Sequence, residues 1–444
     1  MQRIRIGQLL NRIKESIVLV DDVSYKRVTI RTKNQGIALR DVQPGVNIGT
    51  KKQFLVRKGQ FLLSKIDARN GAFGIVPEAL DEAIITGNFW TFEVDEELLN
   101  IEWFNIFVSS PYFIDICSKA SSGTTNRQYL DEKNFLNFEF PLPNLNEQED
   151  FIRWYKSIRH KFEIVLRELA TQYKNAQRLR NSLLQEAIQG KLVLHDPNDE
   201  AVDIMLEKIK VERLRLAQSE KEKQKLEGKF EELVIQSEIE GWLKIKAELI
   251  CDIITKGTTP KANELLQIGD VPYLKVYNIV NNKIDFYYKP QFVSSEIHNK
   301  FLKRSRVYPN DVLMNIVGPP LGKVAIVPTD YPEWNINQAL AIFRPVKYVM
   351  PQYLYLVLVE GKLIKDTQAV GTAGQDNLSL AQCRDFNIYI PPLNEQKRIV
   401  EKVNQLMILC DELEQNIEQS KQETEKLMKA VLQEAFTVKE EVLS

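Results

Sequence analysis

The sequence predicts an α+β protein that repeats one plan twice: a mixed α/β domain followed by a long helix. One stretch of sequence recurs without a gap 248 residues later, and a heptad pattern of apolar residues follows each copy of it. Short apolar segments between Gly, Pro and Asn turns precede each copy, and this pattern is typical of strands. We therefore expect two pseudo-repeated domains, with the two helices paired as a coiled coil.

The repeat is clearest at the end of each domain. GTTNRQYLDEKNFLNFEFPLPNLNEQ ends at Gln148, and GTAGQDNLSLAQCRDFNIYIPPLNEQ ends at Gln396. The tetrapeptide LQEA then recurs at the same spacing, at 184–187 and 432–435. A single spacing held over this length indicates a tandem duplication.

The two predicted domains are residues 1–145 and 241–392. Upstream of the repeat they align more loosely, with 59–77 matching 310–328 at a spacing of 251. Both segments read as strand, polar turn, strand. The change of spacing indicates loops that differ in length between the two copies.

A predicted helical region follows each domain, at 146–190 and 393–444. About 40 helical residues make a rod of roughly 60 Å, which is too long for either helix to pack only on its own domain. The heptad pattern therefore predicts one shared apolar seam, although the pattern alone leaves open whether the helices run parallel or antiparallel. The residues predicted to form this seam are Ile158, Phe162, Val165, Leu169, Leu406, Leu413 and Ile417.

The segment that joins the two copies, 191–240, is rich in charge. Its bases and acids nearly cancel, and Pro197-Asn198-Asp199 interrupts it. We predict a charged linker, partly helical, that is either a solvated helix or semi-flexible.

Charge is distributed unevenly within the first domain. Residues 1–75 contain 15 Lys or Arg and five Asp or Glu, whereas 76–145 contain three bases and twelve acids, although the whole chain has a formal charge of −1. A domain polarised in this way suits a surface that faces phosphate on one side. The alternative is that the two segments mix in space and their charges cancel.

The sequence lacks the motifs of an enzyme. GPPLGK at 318–323 resembles a phosphate loop, but it has three residues between Gly and Gly-Lys, and Val324 follows the lysine. Neither a dinucleotide fingerprint nor a methyltransferase or nuclease motif is present. The four cysteines and three histidines are scattered, which predicts reduced thiols and no metal site. The chain shows neither a signal peptide nor a membrane span, so we expect a cytoplasmic protein.

Polar turns that recur in both copies are the candidate DNA-binding sites. Small residues in such turns let backbone N–H groups approach phosphate, while Arg, Lys, Asn and Gln offer the donors and acceptors that recognise base edges. The residues predicted to bind DNA are Lys33, Arg40, Ser64, Lys65, Arg69, Asn70, Thr124, Thr125, Arg127, Lys256, Thr258, Thr259, Lys261, Lys275, Tyr277, Asn278, Asn315, Lys323, Thr372 and Gln375.

With this plan in view, the whole chain resembles the specificity (S) subunit of type I restriction–modification systems. The resemblance rests on the domain-end segments closed by LNEQ, on LLQEAIQGKLV at 183–193, and on WLKIKAELICDIITKGTTPK at 242–261. It implies that the domains are target-recognition domains for double-stranded DNA and that the helices pair antiparallel. Recognition domains vary between relatives, so no base contact transfers to this chain.

The resemblance also implies partners. The paired helices would dock two DNA-adenine methyltransferase (M) subunits, and restriction (R) subunits would join through them. An antiparallel pair places the domains at opposite ends, which predicts a bipartite target with an unread gap. S-adenosylmethionine, ATP and Mg²⁺ would belong to the partners, and this chain would hold no cofactor and have no catalytic residue.

Two other functions compete with this interpretation. The chain could be the specificity portion of a fused or cryptic DNA methyltransferase or endonuclease, which predicts that the isolated chain binds S-adenosylmethionine. It could instead be a coiled-coil scaffold whose end domains bind protein, which predicts no sequence-selective footprint on DNA.

Overall fold

In a computed structural model of the chain, the described residues are 2–124, 127–233, 237–367 and 377–437. The chain divides into two compact units, Met1–Gln172 with Asn416–Ser444, and Tyr173–Gln415. Each unit therefore contains one predicted domain together with parts of both long helices. No helix in the described ranges is both long and apolar enough to cross a membrane.

The first domain is mainly short strands. Its strands are β1 (Gln2–Arg5), β2 (Leu10–Ile13), β3 (Ser16–Val18), β4 (Ser24–Ile30), β5 (Ile37–Pro44), β6 (Lys52–Val56), β7 (Phe61–Ser64), β8 (Phe73–Ile75), β9 (Ala83–Ile85), β10 (Phe89–Val94), β11 (Ser121–Thr124), β12 (Arg127–Leu130) and β13 (Glu139–Leu142). Its helices are α1 (Ile6–Leu9), α2 (Ile101–Val108), α3 (Pro111–Lys119) and α4 (Glu132–Asn137), with 3-10 turns at Gly45–Asn47, Ala68–Asn70 and Glu78–Leu80.

A four-stranded sheet, in the order β2-β10-β7-β8, forms the centre of this domain, and a five-stranded sheet, β3-β6-β9-β4-β5, lies beside it. Helices α2 and α3 cover the first sheet, and the core between them is aromatic, with Phe61 in edge contact with Phe104 and Phe113. Helix α2 begins where the side chain of Asn100 accepts hydrogen bonds from two backbone N–H groups, and α3 begins at Pro111.

The next elements lie in two places, the segment that joins the two domains and the second domain itself. In the segment lie α6 (Val202–Leu216) and α7 (Glu220–Glu231), which follow the long helix α5 (Leu145–Ile188). The strands of the second domain are β14 (Leu243–Lys246), β15 (Cys251–Lys256), β16 (Val271–Leu274), β17 (Ile279–Val280), β18 (Lys283–Ile284), β19 (Phe292–Val293), β20 (Arg306–Val307), β21 (Val312–Asn315), β22 (Val324–Ile326), β23 (Trp334–Ile336), β24 (Leu340–Pro345) and β25 (Asn387–Ile390). Its helices are α8 (Ala247–Ile250), α9 (Ser295–Asn299), α10 (Pro351–Glu360), α11 (Lys362–Lys365) and α12 (Leu380–Arg384), with 3-10 turns at Ala262–Glu264, Val276–Asn278 and Lys303–Ser305; α13 (Leu393–Thr437) follows.

The second domain repeats the central sheet of the first. Its strands follow the order β15-β24-β21-β22, and β14 pairs with β25 as β1 pairs with β13. A single hydrogen bond also recurs: Leu130 N–H donates to the carbonyl of Lys65 (2.8 Å), and Leu378 N–H donates to that of Ile316 (2.9 Å). The predicted duplication is therefore confirmed. The second sheets of the two domains differ. The second domain has a four-stranded sheet in the order β19-β16-β23-β20, whereas the first domain has the five-stranded sheet β3-β6-β9-β4-β5.

The repeated LNEQ sequence has a structural explanation. Gln148 and Gln396 are fully buried at the start of the two long helices. Each amide donates to the carbonyl of a preceding proline, at 2.8 Å from Pro143 and 2.9 Å from Pro391. Each side-chain oxygen also accepts a backbone N–H, from Asn100 or from Met350, both at 2.8 Å. The glutamine thus ties the long helix to its domain, and a primary amide suits this place because it offers two N–H donors and a carbonyl acceptor in one side chain.

Replacing Gln396 with leucine is expected to lower the free energy of unfolding by about 2–3 kcal/mol, because the Met350 N–H and two carbonyls lose their buried partner. Chemical denaturation of the full chain measures this. The matched control is Gln405→Leu, an exposed position on the same helix, which should change stability by less than about 0.5 kcal/mol. Equal effects at both positions would contradict this role.

The two long helices run in opposite directions. In the first unit, near the start of α5, the ring of Phe151 lies 5.0 Å from the ring of Phe436, near the end of α13. In the second unit, near the end of α5, Arg180 contacts Asp411 and Glu414, which lie in the first half of α13. Because the contact partners move backwards along α13 as α5 advances, the pair is antiparallel, as the resemblance implies.

Burial differs among the residues predicted to form the seam, which stays a prediction. Ile417 is buried, and Ile158, Phe162, Leu169 and Leu406 are half-buried. Val165 and Leu413 are instead exposed, at 44% and 42%. Their neighbours Leu166 and Glu414 are half-buried. An α-helix of 3.6 residues per turn drifts away from a strict heptad, so an inward position moves by one residue along a long helix.

The segment between the domains is more ordered than its charge indicates. Met205 and Ile209 of α6 and Leu226 and Phe230 of α7 are buried in one core with Trp242 of the second domain. The expectation of a solvated or semi-flexible linker was wrong here. Its few apolar residues are spaced four apart on each helix, so they form one face that packs against the second domain.

Polar contacts also fix this segment to the start of α13. Glu395 is buried and accepts hydrogen bonds from the indole of Trp242 (2.8 Å) and from His195 (3.0 Å). Asp199 forms an ion pair with Arg398 at 2.6 Å.

All four cysteines are buried free thiols, as expected of a reduced protein. Burial raises the pKa of Cys383 to about 12, so this thiol stays protonated and unreactive near neutral pH.

Candidate nucleic-acid interface

In the first domain, the loop between β7 and β8, residues 65–72, meets the tip of the β4–β5 hairpin. Lys33 and Asn34 occupy left-handed backbone conformations at that tip. Their N–H groups donate to the carbonyls of Asn70 (2.7 Å) and Gly71 (3.0 Å). Gly71 also has a positive φ, and a Cβ there would lie 2.4 Å from the side-chain oxygen of Asn34. Glycine is therefore required where the two loops touch.

The β11–β12 hairpin is the third segment at this place. Arg69 donates to the side-chain oxygen of Gln128 at 2.6 Å, and the N–H of Leu130 donates to the carbonyl of Lys65. Three separate segments thus bring together Lys33, Lys65 and Arg69, which the sequence predicted individually. Neither lysine forms an ion pair with any described residue. We call this group of three segments the basic corner.

The charge imbalance within the first domain is partly cancelled in space. Arg57 pairs with Glu15 (2.5 Å) and Glu82 (2.7 Å), and it holds the pKa of Glu15 below its usual range. Arg27 binds Asp41 through two hydrogen bonds of 2.7 Å and lowers the pKa of that carboxyl in the same way. Arg5, Arg12 and Lys58 pair with Glu139, Glu132 and Glu78 of the acidic segment. The predicted polarisation is therefore reduced in space, while Lys33 and Lys65 of the basic corner keep no ion pair with a described residue.

In the second domain the corresponding β21–β22 loop is closed by internal hydrogen bonds. Asn315 is buried and donates to the carbonyl of Pro320 (2.5 Å), and the peptide bonds before Pro319 and Pro320 are both cis. Lys323 donates to the backbone carbonyl of Ile279 (3.2 Å) in the β17–β18 hairpin. This hairpin contacts β22, as the β4–β5 hairpin contacts β8 in the first domain.

A second group of predicted residues in this domain lies on the loop after β15. The N–H of Thr258 donates to the carbonyl of Ile336 (3.1 Å), and its hydroxyl accepts from Arg304 (3.1 Å). Gly257 packs so closely that a Cβ would lie 2.1 Å from the carbonyl of Asn337. The loop is therefore held in place while Lys256, Thr259 and Lys261 stay exposed or half-buried. The sequence prediction missed Arg304, because a lone arginine far along the chain gives no signal.

The predicted DNA-binding residues fall into three classes. The side chains that are exposed or half-buried are Lys33, Arg40, Lys65, Arg69, Asn70, Lys256, Thr258, Thr259, Lys261, Lys275, Tyr277 and Lys323. Outside the described residues lie Thr125, Thr372 and Gln375, together with the side chains of Thr124 and Arg127. Buried side chains with internal partners are Ser64, Asn278 and Asn315.

The buried residues need a correction. Asn278 accepts from the N–H of Lys275 (2.9 Å) and donates to two carbonyls, so its donors are used within the protein. Ser64 accepts from the N–H of Asp67 (3.2 Å). These side chains, like that of Asn315, shape turns and do not face solvent. Sequence cannot separate an amide that holds a turn from one that reads a base, since both favour the same loops.

One group of side chains in the described ranges has the composition of a metal site. Ligand atoms of His195, Asp199 and Glu395 lie within 4.8 Å of one another. Their oxygens are already engaged by Trp242, His195 and Arg398. We therefore assign this group to the attachment of the linker.

A family model described as the type I restriction modification DNA specificity domain matches residues 16–164 and 239–420. The chain belongs to this family. The two matched stretches cover both members of the duplication, so the basic corner and the loop after β15 both lie within specificity domains.

Relatives of known name agree with the family assignment. The chain is 22% identical over 435 residues to the type I restriction enzyme EcoBI specificity subunit of Escherichia coli, covering 94% of this chain and 83% of that protein. It is 27% identical over 247 residues to the EcoAI specificity subunit of the same organism, covering 54% of this chain and 41% of that protein.

Solved structures share the fold. One, described as showing complex assembly and conformational transition of the type I R-M system, aligns with a TM-score of 0.62 at 18% identity, over 98% of this chain and 97% of that chain. The HsdS subunit from Thermoanaerobacter tengcongensis aligns with a TM-score of 0.51 at 17% identity, over 98% and 96%.

Proposed function

We propose that this specificity-family chain is the sequence-specific DNA-binding subunit of a type I restriction–modification complex. Each of its two domains would read one half of a bipartite DNA target, and the chain itself would catalyse no reaction. It would act in the cytoplasm, where a complex that modifies genomic DNA meets its substrate.

The basic corner is the observation that supports this proposal most. It joins three loops that are distant in sequence, and it presents Lys33 and Lys65 without carboxylate partners among the described residues. Elsewhere in the same domain, Arg27 and Arg57 are neutralised by carboxylates. Retaining unpaired cations at one place on rigid loops is what binding to a phosphate backbone requires.

The long helices support docking of methyltransferase subunits. Their surfaces expose large apolar side chains that a solvated coiled coil does not need. These include Trp154 and Ile164 on α5, and Ile408 and Leu409 on α13, with exposures from 41% to 58%. Contiguous exposed apolar residues mark surfaces for partner proteins, and Ile408 and Leu409 are neighbours on α13. We infer that two methyltransferase subunits bind along these helices and that restriction subunits join through them.

S-adenosylmethionine, ATP and Mg²⁺ would then be held by the partner subunits. The groups that this chain offers at the basic corner are lysines, an arginine, amides and backbone N–H groups. These side chains bind and orient an anion, and the carboxylate of Asp67 in the same loop is bonded by the amide of Asn70 (3.2 Å).

Replacing Lys33 and Lys65 together with glutamine is expected to weaken DNA binding by the complex with methyltransferase subunits. The salt dependence of the binding constant should also flatten by roughly one to two counterions, because fewer phosphates are neutralised. Fluorescence anisotropy on a labelled duplex over a salt series measures both quantities.

The matched control replaces Lys51 and Lys58 with glutamine. These lysines lie in the same domain but pair with Asp21 (2.5 Å) and Glu78 (3.0 Å). Removing the same total charge at these two positions should leave the salt dependence of the DNA-binding constant nearly unchanged. Equal slopes for the two double variants would contradict the assignment of the basic corner to DNA.

A further inference from the structure

A large, strongly basic cavity lies between the linker helices and the second domain. Its volume is about 760 Å³, and the side chains that line it include eight Lys or Arg and three Asp or Glu. Helices α6 and α7 form one wall, and β15, β20 and β24 with the 3-10 turn at Lys303–Ser305 form the other. No sequence pattern indicated it, because its cations come from distant parts of the chain.

The central feature of the cavity is Arg213 of α6. This side chain is buried, with a relative exposure of 5%, yet its Nε and Nη1 have no hydrogen-bond partner. The nearest carboxylate, that of Asp252, lies 3.7 Å from Nη1, and Nη2 donates to the carbonyl of Glu248 (3.3 Å). This buried guanidinium leaves two N–H donors unsatisfied, which is unfavourable unless an anion accepts hydrogen bonds from them.

The acids in the cavity leave the Nε and Nη1 donors of Arg213 without a hydrogen bond. The carboxylate of Glu248 is paired with Lys229. The Glu222 carboxylate accepts from the N–H of Gln218 (2.9 Å), at the start of α7. Asp252 is the remaining acid; it forms an ion pair with Arg213 at 3.7 Å, which is too long for a hydrogen bond.

Exposed cations line the solvent side of the same cavity. Lys225 and Lys303 are exposed and form no ion pair with a described residue. Arg384 is exposed and uses one Nη to bond the carbonyl of Ile254 (2.8 Å). An anion that reaches Arg213 therefore passes through a positive potential that attracts it from solution.

The cavity is continuous with the candidate DNA-binding loop of the second domain. Arg304 lines the cavity, and its Nε donates to the hydroxyl of Thr258 on that loop. A DNA strand that lies along the loop of Thr258, Thr259 and Lys261 therefore has a phosphate site beside it.

We propose that this cavity binds a backbone phosphate of the DNA, gripped between Arg213 of the linker and the cations of the second domain. The linker is then part of the DNA-binding surface as well as a connection between the two copies. This inference rests on the proposed function, since it assumes that the second domain binds DNA. Arginine suits this role because its planar fork offers paired donors to phosphate oxygens.

The test uses the full chain in complex with methyltransferase subunits and a duplex that contains the sequence the complex methylates. Two variants are compared: Arg213→Gln, and Lys225→Gln combined with Lys303→Gln. The double lysine variant keeps the test valid if Arg213→Gln fails to fold, because Lys225 and Lys303 are both exposed. Each variant should reduce the slope of log affinity against log salt by about 0.9 for every phosphate that is no longer neutralised, and it should weaken binding roughly threefold to tenfold at physiological salt. The preference for the target over a scrambled duplex should stay unchanged.

The control variant combines Lys221→Gln with Lys300→Gln, two exposed lysines near the same elements that do not line the cavity. The inference is overturned if a cavity variant and this control show the same slope of log affinity against log salt while the complex still selects its target. That outcome leaves the proposed function intact. A wild-type complex that shows no target preference overturns the proposed function itself.

Two further outcomes separate other ligands from DNA. In the first outcome, inorganic phosphate raises the melting temperature of the wild-type chain but not that of Arg213→Gln, and the salt slope of DNA binding is the same for both. This result identifies a site for free phosphate and overturns the assignment to DNA. Loss of methyltransferase subunits from the cavity variants, measured by size-exclusion chromatography, identifies a docking site for protein carboxylates and likewise overturns it.

Discussion

Replacing Ile417 with aspartate is expected to abolish assembly with methyltransferase subunits and, with it, specific methylation. Ile417 is 6% exposed on α13, so the substitution places a charge in the predicted apolar seam between the long helices. The expected cost is about 3–5 kcal/mol unless the helices separate. Separation would disrupt the docking surface and would withdraw Leu432 and Phe436 of α13 from the core of the first domain.

Thermal unfolding and size-exclusion chromatography with methyltransferase subunits measure these effects. Gln419→Asp is the control, because it adds the same charge to an exposed position two residues away. Leu169→Asp should act in the same direction but more weakly, since Leu169 is half-buried. Normal assembly of Ile417→Asp would show that the helices do not depend on this seam.

Replacing Ile408 and Leu409 together with glutamate is expected to have a different signature. Both side chains are more than half exposed, at 58% and 57%, so the free energy of unfolding should change by less than about 1 kcal/mol. Binding of methyltransferase subunits should nevertheless fall by at least about 100-fold, because two charges would be desolvated in an apolar interface.

The control for this variant is Ile268→Glu. Ile268 is 88% exposed in the second domain, away from the long helices, so its replacement should leave assembly unchanged. Calorimetric titration of each variant with methyltransferase subunits measures the binding affinity and so distinguishes the Ile408 and Leu409 variant from the control. Unchanged binding in the Ile408 and Leu409 variant would place the docking surface elsewhere.

The architecture was predictable because a duplication leaves a signal that does not depend on tertiary context. The spacing of LNEQ located both long helices, and the repeated strand–turn–strand pattern located β7–β8 and β21–β22. The role of Gln148 and Gln396 could not be predicted, because a motif at the start of a helix does not show which loop its side chains will bond.

Predictions failed where a residue's role depends on its neighbours in space. Val165 and Leu413 fit the heptad but point outward, because the inward face drifts by one residue. The linker was predicted to be solvated because its few buried residues, such as Met205 and Phe230, are outnumbered by charges. Arg213 gave no signal at all, since its significance comes from a cavity formed by residues far apart in sequence.

The candidate DNA-binding residues were predictable as loops but not as side chains. Lys33, Lys65 and Arg69 converge on one corner, whereas Asn278 and Asn315 turn inward to hold their own backbones. The same polar composition suits a turn that needs internal hydrogen bonds and one that offers them to a ligand. Only the paths of the surrounding strands distinguish the two.

The most direct test of the central claim is a methylation map. Genomic DNA from a methylation-free host is sequenced for modified adenine after expression of this chain alone, of the methyltransferase subunits alone, and of both together. We predict modification only when both are present, at a single bipartite sequence, and a change in one half of that sequence when residues 241–392 are exchanged for those of a relative. Methylation by the chain alone, or an unchanged target after the exchange, would contradict the account.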